Sequence, residues 1–154
     1  MLLAAALKIG AILGGAPEKD AQLLYDFGIK MGLAFQLQDD YLDVYGDPAV
    51  FGKKIGGDIL CNKKTFMLIT ALSLAEGEDK ETLLNWLRAT DYVAEEKIQS
   101  VTALYNKVGV PGLCQARIDA YYKEGLELLD KVNVESSLKE ELKKFVCHLM
   151  DRKL

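Results

Sequence analysis

The sequence predicts an all-α fold, a single helical unit over residues 1–154. Apolar residues recur at three- and four-residue steps through most of the chain, the period of a helix with one face buried. No segment alternates strictly between apolar and polar, as a half-buried strand would. The periodic stretches stop at Gly- and Pro-bearing breaks, and the chain holds no internal repeat, linker or low-complexity tract.

Residues 2–13 mix Ala and Leu at helical spacing, and Gly14-Gly15-Ala16-Pro17 supplies a C-cap glycine and a proline stop. From Glu18 the series Ala21, Leu24, Phe27, Met31, Phe35, Leu42 runs to Tyr45 as one long helix with acidic residues in its first turn, ended by Gly46-Asp47-Pro48. Residues 47–62 have no period but carry Gly52, Gly56 and Gly57 beside Lys53 and Lys54, which predicts a mobile, basic loop. A helix resumes over 64–74 with Phe66, Leu68, Ile69 and Leu72 inward, and Glu76-Gly77-Glu78-Asp79 reads as a surface turn. Helices are expected over 80–89, 93–108, 111–132 and 137–150, with Pro111 at a first helical position.

Composition narrows the function. A net charge of −4 and an isoelectric point near 5.1 argue against nucleic-acid binding, which needs a basic surface to displace counterions. Cys61, Cys114 and Cys147 fit neither a disulfide framework nor a zinc site and read as reduced cysteines of a cytoplasmic protein. No run approaches the roughly 20 apolar residues that span a bilayer. The apolar helix starting at residue 2 without a capping residue suggests a piece of a longer chain.

One stretch carries chemistry. Gln36, Asp39, Asp40 and Asp43 stand at i, i+3, i+4 and i+7, one polar stripe on a helix otherwise lined by Phe35, Leu37, Tyr41 and Leu42. A helix apolar nearly all round is buried, so the stripe is expected to face a cleft. Like charges on one face repel and call for a cation; carboxylates without His or Cys suit Mg²⁺, with Mn²⁺ as an alternative, which takes one or two carboxylates plus substrate phosphate oxygens. The lysine loop supplies the complement: Lys53 and Lys63, with Lys54 as the weaker candidate, can cover diphosphate charge, and Asp58 can accept from a lysine or a metal-bound water. A solvated acidic face and an ordinary surface loop are the plain alternatives; the adjacency of the two features favours the site. Gly28 and Gly32 are expected either to leave a groove for an apolar chain or to allow close helix packing.

The run Phe35-Gln36-Leu37-Gln38-Asp39-Asp40-Tyr41-Leu42-Asp43, with Gly46-Asp47-Pro48, Gly52-Lys53, Gly56, Asp58 and Asn62-Lys63-Lys64-Thr65, resembles the second aspartate-rich motif and following loop of trans-isoprenyl diphosphate synthases. The resemblance implies an isoprenoid synthase-type helical bundle, here its C-terminal part. It also implies a Mg²⁺-dependent condensation of an allylic diphosphate with isopentenyl diphosphate, and a homodimer. By resemblance Asp39 is the direct metal ligand, Asp40 and Asp43 hold metal-bound waters, Lys53 and Lys63 contact the allylic diphosphate, and Phe35 and Gln36 flank the reacting carbons. Arg152-Lys153 is similar to a basic tail that folds over the site, although a frayed, solvated terminus accounts for it better. A first aspartate-rich motif and an upstream Lys-Thr pair have no counterpart in the sequence, so the chain is expected to be inactive alone and to bind Mg²⁺ weakly without diphosphate. The alternative is a non-catalytic helical binding or regulatory subunit. A terpene cyclase is disfavoured by the lysine loop and the Phe-Gln pair.

Overall fold

The computed structural model describes residues 2–48 and 55–150. Among them are eight helices and no strand: α1 Leu2–Leu13, α2 Glu18–Tyr45, α3 Gly57–Leu60, α4 Phe66–Leu74, α5 Gly77–Arg88, α6 Ala94–Lys107, α7 Val110–Asp130 and α8 Ser136–Met150. Two compact units divide the chain, one from Met1–Gln36 and Ala116–Lys153, the other from Leu37–Gln115.

The first unit is built on Phe27 and Met31 of α2, Leu129 of α7, Val132 in the turn that follows it and Val146 of α8, with Leu7 of α1 and Leu142 of α8 packed against them. The expected stop after α1 is a left-handed Gly15 at φ 79°, with the Ala16 N–H donating to the Ala11 carbonyl at 2.9 Å and the Gly15 N–H to Ile12 at 3.0 Å. Gly28 is where α1 crosses α2, since a Cβ there would stand 2.6 Å from Ala4 Cα. At Gly32 a Cβ would meet nothing within 4 Å. The two alternatives for the glycines therefore divide: Gly28 serves close packing, and Gly32 lines an apolar cavity of about 350 Å³ with Phe27, Met31 and Phe35 of α2, Leu3 and Leu7 of α1 and Phe145 of α8.

In the second unit α6 is the hub, touching α3, α4 and α5. The Trp86 indole N–H of α5 donates to Ser100 Oγ of α6 at 2.7 Å. Three expectations are corrected. The inward face of α4 is Met67, Leu68 and Ala71 rather than Ile69, which is exposed; Thr65 caps the helix by accepting the Leu68 N–H, and packing against α6 decides which face is buried. The expected surface turn at 76–79 is the opening of α5, where Glu78 and Asp79 complement the helix dipole. The segment expected to lack period contains the single turn α3, because Gly56 and Asp58 are anchored to α2 rather than free in solvent.

Candidate active site

The site begins at the C-terminal end of α2. Exposure falls along its polar stripe: Gln36 is exposed, Asp39 and Asp43 are half-buried, and Asp40 retains only 6% of its surface. The carboxylates are thus at least partly covered, whereas the Gln36 side chain is exposed.

The chain returns to α2 at Gly56. Its N–H donates to the Asp43 carbonyl at 2.6 Å, and two residues on the Asp58 N–H donates to Asp43 Oδ2 at 2.8 Å. Gly56 sits at φ 85°, and a Cβ there would meet the Ile98 side chain at 2.6 Å. Glycine is therefore demanded twice, by the backbone region and by the neighbour. Asp43 is committed to holding this return, and burial pushes its carboxyl above the usual range despite the Asp58 amide.

Lys63 closes the arrangement. Its Nζ lies 2.8 Å from Asp40 Oδ1 and 2.7 Å from Asp58 Oδ2, so one ammonium bridges a carboxylate of α2 and one of α3. The hydrogen bonds from Lys63 to Asp40 and Asp58 hold its ammonium well above the ordinary lysine range. The lysine remains 46% exposed, so the cation can turn outward without unfolding anything around it. Burial is the leading cause that raises the Tyr41, Tyr45 and Tyr105 phenols and pushes the Cys114 thiol up to about 11.

The carboxylate oxygens are hard donors of the kind Mg²⁺ takes, and an ammonium already stands between two of them. Among the described residues no three His, Cys, Asp or Glu side chains converge as a ready metal cage. The donor set fits a divalent cation that draws its remaining oxygens from a phosphate-bearing ligand. Phe35 lines the apolar cavity of the first unit. Lys53, Lys54, Arg152 and Lys153 lie outside the described residues.

Sequence reasoning passed over Lys97. It is 1% exposed, its Nζ donates to Asn62 Oδ1 at 2.8 Å and lies 4.3 Å from the Tyr92 ring centre. A signal was present, since Lys97 takes a core position of α6 in series with Val101, Leu104 and Tyr105.

The chain belongs to the polyprenyl synthetase family, whose model it matches over residues 1–106. It is 36% identical over 140 residues to a short chain isoprenyl diphosphate synthase of Methanothermobacter thermautotrophicus, covering 89% of this chain and 42% of that protein. Against a geranylgeranyl diphosphate synthase of Sulfolobus acidocaldarius it is 29% identical, over 99% of this chain and 46% of the relative. A crystal structure of a geranylgeranyl pyrophosphate synthase superposes with a TM-score of 0.88 at 35% identity, over 99% of this chain and 48% of that one. The all-helical fold is thus that of isoprenoid synthases, and the chain spans a little under half the length of these relatives. Among the described residues no helix is long and apolar enough to cross a membrane.

Proposed function

We propose that the chain serves a cytoplasmic, homodimeric polyprenyl diphosphate synthase, in which an allylic diphosphate condenses with isopentenyl diphosphate and diphosphate is released. The observation that carries this is the Lys63 bridge between Asp40 and Asp58 at the end of α2, in a chain of this family. Asp39, Asp40 and Asp43 would hold Mg²⁺, which supplies Lewis-acid stabilisation of the departing diphosphate. Lys63, released from its carboxylates, and Lys53 cover the charge that the cation leaves on the diphosphate. Asp58 returns Lys63 to its resting place once diphosphate departs. Phe35 offers an apolar wall to the allylic chain, and Gln36, one residue on, a polar amide beside it. The allylic C–O bond breaks with its electron pair going to diphosphate, the isopentenyl double bond adds to the allylic carbocation, and the proton then lost passes to the released diphosphate.

One observation favours the second reading, a binding subunit without turnover: the carboxylates Asp40 and Asp58 are already neutralised by Lys63. Labelled isopentenyl diphosphate, an allylic diphosphate and Mg²⁺, given to the chain together with a partner chain that carries a first aspartate-rich motif, separate the two. Extractable labelled product that disappears in Asp39→Asn and Lys63→Met supports the synthase. Pyrophosphate binding without product supports the subunit, and absence of both removes each reading.

A further inference from the structure

The turn that delivers Lys63 is fastened from beneath by a buried cation that the site itself does not use. Asn62 holds φ 51°, a left-handed backbone that most side chains avoid. Its amide is gripped at both ends: Oδ1 accepts from Lys97 Nζ at 2.8 Å, and Nδ2 donates to the Leu87 carbonyl at 3.1 Å. Tyr92 adds a third point, its ring 4.3 Å from the same ammonium and its hydroxyl donating to the Leu60 carbonyl at 3.2 Å. Among the described residues no carboxylate ion-pairs with Lys97. A lysine buried to 1% exposure against a neutral amide and a ring is costly to keep, and a methionine of similar length would pack there without that cost. What the ammonium contributes is direction, since it fixes which way Asn62 faces and hence where the next residue projects.

We infer that Lys97 is a positioning residue which, through Asn62, sets Lys63 against Asp40 and Asp58 and so prepares it for the diphosphate. The inference rests on the proposed function only for what Lys63 does once placed.

Residue-resolved hydrogen exchange on the full chain tests the placement without any ligand. The Asn62 and Lys63 amides donate to the Ile59 and Asp58 carbonyls at 3.2 and 2.9 Å. In Lys97→Met both are expected to exchange about tenfold faster while amides within α5 and α6 keep their wild-type rates. Asn62→Gly, which tolerates the left-handed backbone but takes away the acceptor of the Lys97 ammonium, is expected to do the same at 62 and 63. Calorimetric titration with pyrophosphate and Mg²⁺ then reads the consequence: each variant weakens binding about tenfold, and the double variant no further than either alone. Unchanged exchange at 62 and 63 in either variant overturns the inference, as does protection lost equally across α5 and α6, or additive losses of pyrophosphate affinity. A wild-type chain that binds no pyrophosphate removes the proposed function and leaves the exchange result to decide the positioning.

Discussion

Lys63 holds two carboxylates of unequal burial, and the inequality sets what its removal does. Asp40 is nearly enclosed, so in Lys63→Met its charge keeps little solvent, while Asp58 is freer to rehydrate. The lysine itself is half-exposed, which limits the net worth of the pair. Urea denaturation should therefore show Lys63→Met less stable by about 1 to 2 kcal/mol, with the Asp40→Asn and Lys63→Met double variant losing less than the sum of the singles. Additive losses would mean that the bridge is not formed in solution. Cys114 offers a pH test nearby. Its folded thiol titrates near 11 against 9.0 ordinarily, chiefly because burial disfavours the thiolate. A raised folded value means that this group favours the native state fully below pH 9 and loses that contribution as pH rises through 11. Thiol labelling at pH 8 should accordingly modify the exposed Cys61 and Cys147 and spare Cys114 until the chain unfolds.

At the scale of elements, α2 shows what glycine does when two positions on one helix have different neighbours. Gly28→Ala gains helix propensity but drives a methyl into the backbone of α1, and overpacking of that kind costs about 1 to 3 kcal/mol. Gly32→Ala meets nothing and should stabilise the chain by about 0.5 to 1 kcal/mol. Equal melting temperatures for the two variants would contradict the crossing at Gly28. The sequence alone left the pair undivided, because both glycines stand on the same stripe and only the position of α1 distinguishes them. Element type was legible wherever apolar period was long: α2 and α6 run within a residue of their expected bounds. What escaped were features fixed by contacts between distant residues. The turn α3 depends on Asp43, fifteen positions earlier, and the inward face of α4 is set by its packing against α6. The acidic stripe and Lys63 were legible as features that belong together, and the partner of Lys63 on α2 is Asp40. Family resemblance placed Asp39 first, and resemblance assigns roles in a liganded state that the resting ion pairs do not display.

For the whole molecule, the described residues of α1 carry a run of exposed apolar side chains. Leu2, Ile9 and Leu13 follow one another at steps of seven and four along one side of that helix, and they are 86%, 57% and 83% exposed. Three large apolar side chains in a row, joined by Ile12 at 52%, form a continuous patch rather than scattered exposure. A second copy of the chain can cover it by the same residues, as a two-fold interface requires, and the small net charge of −4 opposes such pairing little. The homodimer is therefore expected to form through α1. Light scattering at tens of micromolar should return twice the chain mass, and the paired substitutions Ile9→Glu and Leu13→Glu should return one. Because both side chains already face outward, the double variant should keep its helical circular dichroism and most of its stability, each surface change amounting to about 0.5 kcal/mol or less. A dimer that survives both glutamates would place the interface elsewhere, and a monomeric wild type would show that the α1 patch has another occupant.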